Sequence, residues 1–369
     1  MPRLVILFFA LNLAFAAISR SLAEDVSATA DESPDIRRIT FRDKDDTSRT
    51  ILGEVMQEAQ DGGVMMKCDD GRIWIIQPDQ ITDREKIADE YSPISPDEAA
   101  QRMLSELGDR FSVYQTPHYV ILYDGSEVYA KQVGSLFEQL YKNFFTFWKN
   151  QRWQLPEPDH PLVAIVLKDH DSFLNHATAE IGPTAKSMIG YYNLASNQMT
   201  TFNVPNWERN VSTIIHEATH QLAYNCGLQQ RYADNPMWVS EGLATFFESP
   251  DMRNPGRWRA IGRVNQVNLA RWKSGIRNRP DDSLATLLAS DQRYKDAETA
   301  TFAYAEGWAL TYFLIKTSRK EYVAYLQSLS QGKPLAERSA RERVEMFEAA
   351  FGPLDKVDKS FLTYMRRVK

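Results

Sequence analysis

Two histidines four residues apart enclose a glutamate in His216-Glu217-Ala218-Thr219-His220. On an α-helix, residues at that spacing lie one above the other on a single face. Both imidazoles can then point at one metal ion. Glu217, one position along, brings its carboxylate beside the metal without having to bind it. That is where a general base for a metal-activated water belongs. Catalytic zinc takes three protein ligands and leaves a position for water. A third ligand must come from another segment, and Glu241, within Met237-Trp238-Val239-Ser240-Glu241-Gly242-Leu243-Ala244, is the candidate. The chain has only six histidines, at 118, 160, 170, 176, 216 and 220. Two surface histidines on an ordinary helix are the plain alternative. Ile214, Ile215, Ala218 and Leu222 count against it, because they make the segment apolar, and an isolated buried His-Glu-His cluster is costly without an ion.

With these residues in hand, the segment resembles the gluzincin metallopeptidases, in particular their aminopeptidase N-like and peptidase MA-like groups. Their third ligand sits in a W-x-x-E-G-x-A segment, matched by Trp238 to Ala244. A further glutamate near the end of that helix is matched by Glu248. Their Y-x-x-G-x-A-L segment is matched by Tyr304-Ala305-Glu306-Gly307-Trp308-Ala309-Leu310. The resemblance implies a zincin (thermolysin-like) α+β fold, with an N-terminal β-sheet part and a helical C-terminal part. It implies one Zn2+ per chain on His216, His220 and Glu241, with Glu217 as general base. It implies Tyr304 as hydrogen-bond donor to the oxyanion and Glu248 as acceptor for a ligand histidine N–H. It also implies that an edge strand at Gly190, Tyr191 and Tyr192 lays out the substrate backbone, the peptide adding as an extra strand. The aminopeptidases carry a G-x-M-E-N segment that grips a free amine, and the corresponding region here reads Gly190-Tyr191-Tyr192-Asn193. The acidic amine clamp is missing, which favours endopeptidase action on a peptide or protein. A catalytically weak peptide-binding or envelope-scaffold protein is the alternative, and a zinc hydrolase of other bonds stays open.

Several elements must position these groups. The metal helix is expected from Asn206 to Gly227. The ligand helix is expected to begin at Asn235-Pro236, with Asn235 as cap, and to end before Pro250. A hairpin is expected over 189–202. Strands at His118–Tyr123 and Leu162–Leu167, the second apolar enough to be buried on both faces, and a helix over 126–149 precede it. Thr301–Lys316 is the helix bearing Tyr304, and helices at about 319–330, 336–350 and 355–368 close the chain. Upstream, short β-like runs at Ile36–Phe41, Ile51–Met56, Val64–Cys68 and Ile73–Ile76 alternate with Asp-Gly turns. They suggest a small SH3-like β-barrel over 35–90. Residues 91–109 read as a linker and a short helix capped by Asp97, and 110–369 as the metallopeptidase domain.

Residues 1–23 read as an export signal, with Arg3, an apolar run from Leu4 to Ala17, and small residues at Ser21-Leu22-Ala23. Residues 24–34 are polar and read as disordered. A periplasmic, envelope or secreted location follows, with no stable membrane span after cleavage. The net charge of −6 gives no pointer to nucleic acid. The basic stretch over 253–279, with Trp258 and Trp272, reads as a solvated helix face. His170 and His176 read as surface or capping residues, and Cys68 and Cys226 as buried free thiols.

Overall fold

The computed structural model describes residues 34–43, 46–87, 91–249, 258 and 261–369. The export signal and nearly all of the polar segment after it lie outside the described residues, as do Arg253, Arg257 and Arg259. The chain is α+β, with two five-stranded sheets and a predominantly helical C-terminal half.

The first sheet is built from β1 (Ile36–Arg42), β2 (Ser48–Glu58), β3 (Val64–Cys68), β4 (Ile73–Ile76) and β5 (Ile81–Lys86). Its order is β4-β3-β2-β1-β5, antiparallel throughout. Ile39, Phe41, Val64, Met66 and Ile76 form its core. The fifth strand has no counterpart in the sequence reading. Its sequence, Ile-Thr-Asp-Arg-Glu-Lys, lacks apolar alternation because it is an exposed edge held by backbone pairing to β1.

The helix α1 (Pro96–Leu107) begins at Ser95, not Asp97. Ser95 and Glu98 form a reciprocal capping box, with Pro96 in the first turn. The second sheet follows, built from β6 (Ser112–Gln115), β7 (Tyr119–Tyr123), β8 (Leu162–Leu167), β9 (Gly190–Tyr192) and β10 (Gln198–Phe202). Between β7 and β8 runs α2 (Glu127–Asn150), and between β8 and β9 lies α3 (His170–Ile181). The order is β6-β7-β8-β10-β9. Strands β7, β8 and β10 run parallel, while β6 and β9 are antiparallel edges. Every residue of β8 is buried. Leu162, Ala164 and Val166 face a core shared with α2, whereas Val163, Ile165 and Leu167 face Phe173 of α3 and Met103 of α1. A strand with helices on both faces has no use for polar alternation.

The helices α4 (Trp207–Asn225), α5 (Met237–Phe247), α6 (Gln266–Gly275), α7 (Ser283–Ala289), α8 (Gln292–Lys295), α9 (Ala300–Thr317), α10 (Arg319–Ser330), α11 (Ala340–Phe351) and α12 (Leu354–Met365) complete the chain. Two boundaries differ from expectation. Pro236, not Asn235, is the N-cap of α5. Its first turn is held instead by Asp291, which accepts from the Met237 amide at 2.9 Å. Helix α11 starts at Ala340 because Ser339 and Glu342 form a second capping box. Among the described residues no helix is long and apolar enough to cross a membrane.

The small sheet grips the rest. The Ile73 amide donates to the Ala195 carbonyl in the β9–β10 turn at 2.8 Å. Arg72 pairs with Glu106, and Arg102 with Asp69. His160, 7 % exposed, packs against Gly71. Burial, then the charges of Lys67 and Arg231, push the His160 imidazole down to about 4. The folded state thus binds its proton later than the unfolded chain, whose histidines titrate near 6.5. Stability is complete above that value and falls as pH drops towards 4. His160→Gln should lose about 2 kcal/mol less than the parent between pH 7 and pH 4.5 in urea titrations. Equal losses in the two proteins would show that His160 does not carry this dependence.

Candidate metal centre

Helix α4 starts where the Asn206 side chain accepts from the Arg209 amide, and it stops at Cys226, before Gly227 at φ +70°. It lies under β9 and β10 and against α5. His216, Glu217 and His220 are all buried, at 1, 4 and 1 % exposure. Glu241, one turn along α5 from Trp238, is 2 % exposed. The two Nε2 atoms of His216 and His220 lie 3.2 Å apart. Glu241 Oε2 is 3.3 Å from His216 Nε2, and Oε1 is 3.7 Å from His220 Nε2. A tetrahedral site with bonds of ~2.0–2.1 Å has ligand–ligand edges of roughly 3.3 Å. The three residues form the cluster that could hold a metal ion, all their donor atoms within 4.8 Å of one another.

The donor chemistry fits a cation. Both Glu241 oxygens are buried and face the ring nitrogens of His216 and His220, with no other hydrogen-bond donor among the described residues. His216 Nδ1 is 2.7 Å from Glu248 Oε2. An ionised carboxylate only accepts, so the proton sits on Nδ1 and the Nε2 lone pair is turned to the cluster. Two imidazole nitrogens 3.2 Å apart beside an unpaired carboxylate repel unless positive charge lies among them. Burial alone would lower the His216 pKa, but the hydrogen bonds to Glu241 and Glu248 carry it well above the usual range. His220 is driven the other way, by burial and then by the charge of His216.

Glu217 stands beside the cluster. Its Oε2 accepts the backbone N–H of Tyr192 at 2.9 Å, tying it to the edge strand β9. Burial pushes its carboxyl up to about 8, with Glu241 adding to the rise and His216 and the Tyr192 amide opposing it. Glu248 ends α5, and its second oxygen accepts from Asn265 Nδ2 at 2.9 Å. Tyr304 on α9 is 8 % exposed and lies edge-to-face with Tyr294, ring centres 5.0 Å apart. Burial, and then the negative charges of Glu241 and Glu217, hold its hydroxyl protonated.

The edge strand presents backbone rather than side chains. Tyr191 points to the α3 face, where its hydroxyl donates to Glu180 Oε2 at 2.6 Å. Tyr192 stacks on Tyr224, and its hydroxyl is 2.7 Å from Asn197 Oδ1. Gly190 fits tightly, since a Cβ there would meet the Thr200 carbonyl and Thr213 at 2.9 Å.

The glycines of the two motifs shape how α9 packs on its neighbours. A Cβ on Gly242 would lie 2.1 Å from Thr311 Oγ1 and 3.0 Å from the Gly307 carbonyl. One on Gly307 would lie 2.1 Å from the Tyr294 hydroxyl. Gly242 therefore lets α5 approach α9 closely, and Gly307 leaves room for the Tyr294 ring of α8. Glu306, absent from the sequence reading, anchors α9 from behind. It is fully buried and accepts from Arg279 Nε at 2.7 Å, Arg293 Nη2 at 2.8 Å and Ser283 Oγ. Arg279 also pairs with Asp358. Part of the basic stretch is thus an internal tie and not a solvated face: Arg279 points inward, and Trp258 and Trp272 are buried. Asn265 and Asp291 were likewise missed. Both are ordinary cap residues by sequence, and only the fold brings them to Glu248 and to α5.

Residues 210–336 match a family described as "Protein of unknown function (DUF1570)", a span that holds His216 to Glu248 and Tyr304. No curated protein matches the chain.

Gly242→Ala should destabilise the protein by about 2–3 kcal/mol, because the added methyl has no room. Adding Thr311→Ala should recover part of that loss, since it removes the nearest atom. Calorimetric melting of the single and double variants tests this, and a double variant no more stable than Gly242→Ala would place the clash elsewhere.

Proposed function

We propose that this chain is an exported zinc metallopeptidase of the gluzincin kind, cutting within peptide chains. The observation that carries the reading is the buried His216–His220–Glu241 cluster with the Glu217 carboxylate beside it. The donor set of two imidazoles and one carboxylate suits zinc. When bound, a divalent ion there supplies Lewis acidity and brings a water towards ionisation at neutral pH.

The chain's own residues would do the rest. Glu217, held beside the cluster by the Tyr192 amide, accepts the proton of the attacking water and returns it to the leaving amine. Tyr304 remains protonated and donates to the oxygen that becomes negative as the carbonyl turns tetrahedral. Glu248, steadied by Asn265, keeps His216 in the tautomer that leaves Nε2 available. A peptide adds along β9, the free edge of the second sheet, directly above Glu217. The arrangement of a sheet, then the metal helix, then a helical half supports the zincin reading. The small sheet braces the β9–β10 turn. The apolar leader of residues 4–17 supports export.

The first test is metal content of the purified protein by mass spectrometry. About one zinc per chain is expected, lost in His216→Ala and in Glu241→Ala. Glu217→Ala should keep the metal and lose turnover of a peptide library by at least about a hundredfold. Tyr304→Phe should keep the metal and lower kcat, consistent with loss of about 3 kcal/mol of barrier stabilisation. Full activity in Glu217→Ala would overturn its role as the base, and a well-folded parent unable to take up zinc would overturn the peptidase reading.

A further inference from the structure

The face of α4 that carries Glu217 continues through Gln221, Tyr224 and Asn225, four, seven and eight residues further on. Each of these side chains engages the second sheet. Gln221 is fully buried and donates to the carbonyls of Val163 and Asn197, at 2.9 Å each. Tyr224 stacks on Tyr192 of β9, with ring centres 5.8 Å apart. Asn225 and Asn197 exchange two amide hydrogen bonds, of 2.7 and 2.9 Å. The Tyr192 hydroxyl donates to the same Asn197 Oδ1 at 2.7 Å. Asn197, in the β9–β10 turn, therefore meets the metal helix through its backbone and its side chain, and the edge strand through Tyr192.

The backbone of Asn197 is left-handed, with φ at +60°. Among the described residues four other non-glycine residues share that region, and none of them is buried. Asn197 is 2 % exposed. A left-handed turn position by itself asks only for glycine or asparagine. Here the side chain is used as well as the backbone. Oδ1 has two donors, Nδ2 has an acceptor, and Gly71 of the small sheet closes in behind: a Cβ there would come within 3.0 Å of Nδ2. The joint is thus held between the metal helix on one side and the small sheet on the other.

We infer that Asn197 is a positioning residue for Glu217, acting through Tyr192. Tyr192 is gripped at both ends, its hydroxyl by Asn197 and its backbone N–H by Glu217 Oε2 at 2.9 Å. Its ring lies between them on Tyr224, so the residue works as a strut across α4. The Tyr192 amide is the one hydrogen-bond donor to the Glu217 carboxyl among the described residues. A carboxyl with one donor takes its direction from that donor. Releasing the hydroxyl end of the strut lets the amide end leave Glu217. The inference rests on the peptidase reading only for its catalytic consequence, because the hold on the Tyr192 amide can be measured without any substrate.

The test uses Asn197→Gly, which keeps the left-handed backbone and removes the side chain. Hydrogen exchange is followed by NMR on purified protein labelled with 15N at tyrosine and phenylalanine. The Tyr192 amide should exchange about 10- to 100-fold faster in Asn197→Gly, while those of Tyr312 in α9 and Tyr325 in α10 keep their parental rates. Tyr192→Phe removes only the hydroxyl and should free the same amide to a similar degree. The double variant should go no further than either single one, since both cut the same link. At unchanged zinc content, kcat on a cleaved peptide should fall about 10- to 100-fold in Asn197→Gly. An unchanged Tyr192 rate overturns the inference. So does an equal acceleration of all three amides, which marks a residue that holds the fold and not the base, or a freed Tyr192 amide with full kcat. If the Tyr192 amide alone is freed but the parent cuts no peptide, the positioning of Glu217 stands and the peptidase reading falls.

Discussion

A buried carboxylate whose oxygens meet no hydrogen-bond donor but the two ring nitrogens enclosed with it is the constraint to which this structure answers. Glu241 is too deep for water to solvate it, and its oxygens face ring nitrogens that carry lone pairs of their own. An isolated buried charge of this kind costs several kcal/mol. The fold accepts it because positive charge can enter among the three. Much of the surrounding architecture keeps those atoms aimed at one point. Asn206 and Gly227 set the length of α4, Asp291 fixes the start of α5, and Glu248 turns the ring of His216.

The second layer of organisation is the contact between α5 and α9. It depends on absence: Gly242 of α5 leaves its space to Thr311 of α9, and Gly307 of α9 leaves its space to Tyr294 of α8. The polar tie behind α9 works in the opposite way. Glu306 is wholly buried, and its carboxyl is tolerable there because two guanidinium groups and a hydroxyl saturate its oxygens. Close apolar contact in front and a saturated ion network behind leave α9 little freedom to rotate. Tyr304 is held where the fields of Glu217 and Glu241 both reach it.

The cluster was legible because spacing on one helix is a local property, and His216, Glu217 and His220 needed no tertiary information. Glu241 was a candidate because two histidines need a third ligand, whereas Glu248 and Tyr304 were singled out only by resemblance, since nothing local joins residues on three helices. The buried strands β7 and β8 and the hairpin of β9 and β10 announced themselves by apolar runs. β5 did not, because an edge strand paired by backbone can be wholly polar. Glu306, Asn265 and Asp291 look like surface or cap residues in sequence. Their roles come from partners far along the chain, which a local pattern cannot encode. Arg279 was read as part of a solvated face for the same reason: a run of arginines does not say which of them turns inward.

The short edge strand has a consequence for selectivity. Along an extended edge, outward-facing backbone groups recur only at every second residue. In β9 these are Gly190 and Tyr192, and the Tyr192 N–H is already given to Glu217. A chain laid against this edge therefore meets very little unclaimed main-chain ladder. Under the proposed peptidase function, generic affinity for extended polypeptide is then weak, and a dwell time long enough for chemistry comes from anchors away from the strand. On that proposal, discrimination between one polypeptide and another resides in a few fixed side chains flanking the cluster, and the sequence lying directly over β9 is left comparatively free to vary.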